Sequence, residues 1–271
     1  MRHPSQPSDH VLDLFVAHGA LEVLEGGQGT SVRAGDLVLS PSDDEQVLQA
    51  LAPHQARLAV RLDEASPRSV RLALPVPARD GRLVVEGWAA TRYEPGTTPC
   101  RDLATLRATA HLLHAHLAVA VTDRPDGLDG RTDRWAVAEH LAHGPVSDIE
   151  AAVEDRDPAL RDLVGHLASR LDDAELGREQ LVHSDLAGNV LLDAAGVPFV
   201  IDFSPAWRTP SWAEAVCVLD AVLWHGAPAA SLDDWRSGPQ HQAMLRAALF
   251  RVLSDRPCDV DRYAALRLDA R

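Results

Sequence analysis

Apolar residues recur at every second position through much of the first hundred residues, and at threes and fours through much of the rest. The first pattern predicts strands with one buried face, the second amphipathic helices. After a polar start with two prolines, Asp9 to Ala17 reads as a short helix. Ala20 to Glu25 reads as a strand, Gly26-Gly27-Gln28-Gly29-Thr30 as a turn, and Ser31 to Leu39 as two strands about a tight turn. Ser42-Asp43-Asp44-Glu45 has the form of a capping box ahead of Val47, Leu48 and Leu51, opening a short helix that Pro53 ends or kinks. Leu72 to Ala78 and Arg82 to Tyr93 predict a hairpin about Asp80-Gly81, and Glu94-Pro95-Gly96 breaks it. Helices are expected from Cys100 to Ala120, Trp135 to Ala142, about Pro158 to Leu171, Trp212 to Trp224 with Ser211 as cap, 240 to 254, and in a short piece from Asp259.

One stretch interrupts this helical half with strand-like runs, LVHSDLAGNVLLDAAGVPFVIDFS from Leu181 to Ser204. Val190-Leu191-Leu192 and Phe199-Val200-Ile201 flank a turn-forming Asp193 to Pro198. Paired as an antiparallel hairpin, Val190 is expected opposite Ile201. Asn189 and Asp202 would then sit side by side at the open end, with Asp185 just before them. Two carboxylates and a carboxamide at one mouth suit phosphoryl transfer. One carboxylate orients an attacking hydroxyl, while the carboxamide and the other carboxylate hold magnesium against nucleotide phosphates.

The pattern His-x-Asp-x-x-x-Asn, an apolar strand and Ile-Asp-Phe resembles the catalytic and metal loops of the aminoglycoside-phosphotransferase-like kinases. DLAGNVLL, VIDFSPAWR and VLDAVLWHGA together look like an actinobacterial branch of that superfamily. The resemblance implies that Asp185 is the catalytic base, with His183 packed under its loop, and that Asn189 and Asp202 are magnesium ligands. It also implies a two-lobed protein-kinase-like α+β fold, residues 1–94 forming a small antiparallel-sheet lobe and 95–271 a mostly helical lobe, with ATP in the cleft. Such kinases open with a glycine-rich loop, here residues 26 to 30, whose amides close over phosphates. Their hinge, whose backbone adenine hydrogen-bonds, falls near Tyr93. Glu45 is either a helix cap or the partner of a strand lysine. The place of that lysine holds Ser40, and arginines 33, 57 and 61 are the nearby cations; arginine is no equivalent substitute.

Composition narrows the partners. The 271 residues include 46% hydrophobic and 24% charged ones, as in ordinary globular proteins. A net charge of −14 argues against nucleic acid or an anionic membrane as partner. The sequence has no lysine. Cys100, Cys217 and Cys258 form no metal or disulfide pattern, and no run is apolar enough to span a bilayer, so a cytoplasmic setting is expected. Asp148, Glu150, Glu154 and Asp155 either line a cleft for a cation or form a solvated face. Arg208, in an expected proline-bounded loop from Pro205 to Pro210, either contacts phosphate or anchors that loop. Asp220, in an apolar surround, either braces the catalytic loop or sits on an outer face.

The expected activity is ATP-dependent phosphorylation of a hydroxyl on a small molecule or peptide. The competing expectation, which the missing lysine favours, is a nucleotide-binding scaffold without turnover. The sequence leaves the acceptor, the nucleotide base and the oligomeric state open.

Overall fold

The computed structural model describes residues 6–24, 30–42, 45–65 and 69–269. Gly26, Gly27, Gln28 and Gly29 of the expected phosphate loop, and Asp43 and Asp44 of the expected capping box, lie outside them. In chain order the elements are α1 (Asp9–Phe15), β1 (Leu21–Val23), β2 (Val32–Ala34), β3 (Leu37–Pro41), α2 (Glu45–Glu64), β4 (Arg71–Leu72), β5 (Val84–Val85), β6 (Trp88–Arg92) and β7 (Thr98–Pro99). They continue with α3 (Leu103–Ala120), α4 (Arg134–His143), α5 (Val146–Ala151), α6 (Pro158–Ala168), β8 (Gln180–His183), β9 (Val190–Leu192), β10 (Pro198–Val200), β11 (Pro205–Arg208), α7 (Pro210–Trp224), α8 (Gly238–Ser254) and α9 (Val260–Ala264). No helix among the described residues is long and apolar enough to cross a membrane.

The chain forms two compact units, 1–100 with 119–129 and 188–203, and 101–118 with 130–187 and 204–271. The sequence suggested a single cut after Glu94. Hydrogen bonding draws the line elsewhere, because the β9–β10 hairpin pairs with β4 and β7 and so belongs with the first hundred residues.

In the first unit, a five-stranded sheet runs in the order β1-β2-β3-β6-β5. Val32, Ala34, Leu37, Leu39, Trp88 and Ala90 point to one face and pack under Val11 and Phe15 of α1. Alternation then sends Ser31, Arg33, Val38, Ser40, Ala89 and Thr91 to the other face, where all are half-buried. The expected hairpin about Asp80-Gly81 is replaced by one at Glu86-Gly87, which joins β5 to β6. Both turn residues have positive φ, 48° and 78°, as a tight right-twisted hairpin requires. Pro75 and Pro77 cannot donate to a ladder, so beyond β4 the stretch before Asp80 forms no named strand and meets β6 through an isolated bridge from Pro75 to Thr91 and the Val76 N–H on Ala90 O at 2.8 Å. A second correction concerns the length of α2, which continues past Pro53 as a helix of 20 residues where a short one was expected. The lost N–H bond is offset by a continuous stripe of Val47, Leu51, Leu58 and Leu62, all buried.

The four-stranded sheet has the order β4-β10-β9-β7. Arg71 on β4 ties it together, donating to Glu94 at 2.9 and 3.1 Å, lying 3.6 Å from Asp193, and stacking on Phe199 at 4.9 Å.

In the second unit, α7 and α8 form the centre, with α4 and α6 against α8. Trp212, Val216, Leu219, Met244, Leu245, Leu249 and Phe250 are among the buried core. Helix α7 is capped by Thr209, whose hydroxyl accepts the Trp212 N–H at 3.3 Å, in place of the expected Ser211. Pro210 at its first position has no N–H to leave unsatisfied. The segment after Ser204, expected as a loop, is strand β11, antiparallel to β8 with Pro205 opposite His183 and Arg208 opposite Gln180. Its two prolines sit at or beyond the strand ends, where they cost no ladder bonds.

Candidate active site

Strand β8 delivers the chain to the loop that begins at His183. That imidazole is fully buried, and its Nδ1 accepts the Asp185 N–H at 3.2 Å. The backbone N–H of His183 is donated to His114 Nε2 on α3 at 3.1 Å. Burial, with help from His183 and His111, holds His114 neutral, down to about 3. A neutral acceptor at that nitrogen is what the His183 N–H requires. Ser184 donates both its N–H and its hydroxyl to Ser204 O, at 2.9 and 3.1 Å. Leu186 and Ala187 are buried. Every residue from His183 to Ala187 is thus anchored, and Asp185 is the half-exposed one among them.

The Asp185 carboxylate is met by Arg251 of α8, whose Nη2 donates to Asp185 Oδ1. The same nitrogen donates to Asp220 Oδ2, and Arg251 Nε donates to Asp220 Oδ1 at 2.9 Å. Asp220 and Arg251 are 2% and 6% exposed. Burial pushes the Asp220 carboxyl up to about 7 against the pull of Arg251, while the two carboxylates outweigh burial at Arg251 and raise it. Asp220 therefore braces the loop, through Arg251. His225 lies just past the end of α7. Burial lowers its pKa, Arg101 adds to this, and Asp185 opposes it. Neither Arg251 nor His225 was singled out by sequence. The signal for Arg251 was present, an arginine inside the apolar run AALFRVL that could answer the acid in VLDAVL.

Between Ala187 and Gly188 the chain passes into the first unit. Gly188 has φ 90°, open to glycine and strained for other residues. The hairpin that follows is antiparallel as expected, but its register differs by one. Val190 lies opposite Val200, and Asn189 O accepts the Ile201 N–H at 2.9 Å. The cause is the turn. The Asp193 carboxylate accepts the N–H groups of Ala195 and Val197, both at 2.9 Å, and Asp193 N–H bonds Val197 O. Five residues are thereby enclosed, and Leu192 faces Pro198. Asp202 falls one step beyond the last pair, at φ 48°, a left-handed conformation that side-chain-bearing residues adopt at a cost of order 1 kcal/mol. It is exposed, and Asn189 is half-buried.

Asn189 and Asp202 thus share one hairpin, and they offer hard oxygens from a carboxamide and a carboxylate. Magnesium beside a nucleotide takes one or two such protein ligands and fills its shell with phosphate and water. Among the described residues no group of three or more His, Cys, Asp or Glu is arranged to hold a metal.

The remaining expected residues lie elsewhere in the first unit. Ser40 occupies β3, its hydroxyl 2.8 Å from that of Ser31. Glu45 opens α2 and accepts from Gln49 at 3.1 Å. Tyr93 follows β6, donates its N–H to Asp36 O at 2.9 Å, and carries Arg33 over its ring at 4.1 Å. Thr30 is exposed ahead of β2, where Leu24 N–H bonds Ser31 O. Arg208 pairs with Glu139 and, at 3.2 Å, with Glu179, which makes it an anchor of β11.

No protein-family model matches this sequence, and no curated protein sequence does. Solved structures do match. The chain is similar to the aminoglycoside phosphotransferase from Alicyclobacillus acidocaldarius subsp. acidocaldarius DSM 446 at 12% identity, over 99% of this chain and 92% of that one, with a TM-score of 0.55. It is similar to APH(2")-IIa in its gentamicin complex at 12% identity, over 96% of both chains, with a TM-score of 0.53. It is similar to the choline kinase LicA from Streptococcus pneumoniae at 14% identity, over 94% of both chains, with a TM-score of 0.51. The chain therefore has the two-lobed protein-kinase-like α+β fold of the aminoglycoside phosphotransferases and choline kinases.

Proposed function

We propose that this protein transfers the γ-phosphoryl group of ATP to a hydroxyl on a small molecule or peptide. The observation that carries the reading is the anchored loop from His183 to Ala187, which holds Asp185 by backbone and side chain and is followed in sequence by a hairpin with Asn189 and Asp202 at its ends. Asp185 accepts the hydrogen bond of the acceptor hydroxyl and aims its oxygen at phosphorus. His183 serves by shaping the backbone, since it is fully buried beneath that loop. Asn189 and Asp202 hold magnesium, which when bound supplies positive charge against the β- and γ-phosphates. No covalent enzyme intermediate is required, because such catalysis is positioning plus charge stabilisation. The half-buried sheet face of Val38, Ser40, Ala89 and Thr91 supports nucleotide binding, being lined by small side chains beside the Tyr93 backbone. The similar solved structures, named as a choline kinase and as aminoglycoside phosphotransferases, favour a small-molecule acceptor over a peptide.

A second reading, a nucleotide-binding protein without turnover, is favoured by one observation. Where a lysine and a glutamate would pair, Ser40 bonds Ser31 and Glu45 bonds Gln49. Calorimetric titration with ATP, with and without magnesium, followed by ADP release in the presence of choline, ethanolamine, amino sugars and serine peptides, separates the two. Magnesium-dependent binding with acceptor-dependent ADP release is the expected result. Binding without release selects the second reading, and absence of binding overturns both.

A further inference from the structure

We infer that Arg251 is a positioning residue for Asp185, setting the direction of its carboxylate, and that Asp220 in turn fixes Arg251. The inference rests on the phosphotransfer reading for what Asp185 does, and on geometry alone for how it is held. Asp185 is a loop residue with a side chain 39% exposed. Its N–H is fixed by His183, but a backbone bond by itself does not limit a carboxylate's freedom about its two side-chain torsions. Arg251 removes that freedom by binding Oδ1. The arginine cannot swing in response, because its Nε and Nη2 engage both oxygens of Asp220 and its guanidinium lies 4.8 Å from the Phe250 ring. Asp220 sits on α7 and Arg251 on α8, the pair of helices at the centre of the second unit. The loop carboxylate thereby takes its direction from the buried helix pair at the centre of the second unit.

The charges explain why the cluster has three members. An exclusive Arg251–Asp185 pair would neutralise the carboxylate that must accept the acceptor's proton. With Asp220 as a second acid, the positive charge of Arg251 is shared between two carboxyl groups and is not committed to Asp185 alone. Arginine is required for this geometry. A planar fork reaches two carboxylates in set directions, whereas an ammonium is a point charge on a flexible stem. Deleting Arg251 alone would strand a buried acid, so the informative variant removes both buried charges together.

The test compares the full-length wild type with Arg251→Lys and with the double variant Arg251→Met/Asp220→Asn. Melting temperature, calorimetric affinity for ATP with magnesium, and phosphate release from ATP with water as acceptor are measured for each. Crystal structures then give the Asp185 rotamer. Both variants are expected to bind ATP within about threefold of wild type with unchanged KM, while kcat falls about 10- to 100-fold, the usual effect of misplacing a catalytic group by an ångström. The Asp185 side chain should leave its single rotamer in both. A folded variant with wild-type kcat and an unmoved Asp185 overturns the inference. So does a parallel loss of kcat and ATP affinity, which marks a role in folding alone. Failure of the phosphotransfer reading looks different, for wild type would then neither bind nor turn over ATP, and the Asp185 rotamer would decide the positioning question. Should the double variant not fold, Arg251→Lys carries the same comparison.

Discussion

The hydroxyls of Ser31 and Ser40 lie 2.8 Å apart across the β2–β3 ladder, on the half-buried face of the five-stranded sheet. In the kinases that the sequence resembles, a lysine stands at the position of Ser40. Two of the three nearby arginines are committed elsewhere. Arg33 is engaged by Tyr93, Glu22 and Gly35 O, and Arg57 by His54. Ser40→Lys should therefore exchange the hydroxyl contact with Ser31 for a charge-assisted one to phosphate. A charge-assisted hydrogen bond contributes about 1.5–3 kcal/mol, so ATP is expected to bind roughly 10-fold tighter. Affinity that stays level or falls in Ser40→Lys, measured beside alanine variants of Arg33, Arg57 and Arg61, would mean that an arginine already fills the role or that the phosphates lie elsewhere.

Asp202 offers a cleaner substitution than most metal ligands. Its φ of 48° is one that asparagine tolerates well, so Asp202→Asn removes a charge and leaves the backbone in place. The variant should melt as wild type does and lose the gain in ATP affinity that magnesium confers, a loss of about 10-fold or more. Titrations with and without magnesium decide this. An unchanged magnesium effect would sink the assignment.

For Asp185 the expectation is a split between rate and binding. Asp185→Ala leaves Arg251 and Asp220 as a balanced pair, so folding should survive. ATP affinity should hold within a few-fold, while kcat drops by roughly 10²–10⁴, the usual worth of a positioned general base. Equal losses in affinity and rate would assign Asp185 to the metal or to the fold.

His114 makes stability depend on pH. It is 2% exposed and held neutral down to about 3, whereas an unfolded chain takes up that proton near 6.5. Its stabilising effect is complete above pH 6.5 and is lost as pH falls from there toward 3, with a slope near 1.4 kcal/mol per pH unit. Asp220, raised to about 7, has the opposite sign, stabilising below its ordinary range near 4 and losing that effect as pH rises to 7. The difference between wild type and His114→Gln isolates the histidine, since glutamine keeps an acceptor for the His183 N–H. Denaturant melts between pH 4 and 7 should show the variant with the shallower rise in stability with pH. Parallel curves would show that His114 is not a neutral acceptor.

The sequence by itself determined the elements whose causes are local. Helices α3 and α8 follow from apolar spacing, α7 from that spacing and Pro210, and the sheet-first, helix-second order follows from a change of period along the chain. The motif from His183 to Asp202 was also legible, because a loop and hairpin of consecutive residues carry it. What spacing could not convey was every feature that depends on a distant partner. The Asp193 turn shifted the β9–β10 register by one residue. Helix α2 runs through Pro53 because the buried stripe on either side outweighs one missing bond. Strand β11 exists because β8 supplies its ladder. Asp220 read equally well as brace or surface acid until α8 brought Arg251 between it and Asp185. Periodicity is a property of a segment and can be read from it, whereas hydrogen-bond and charge satisfaction are properties of pairs, and tertiary packing chooses the pairs.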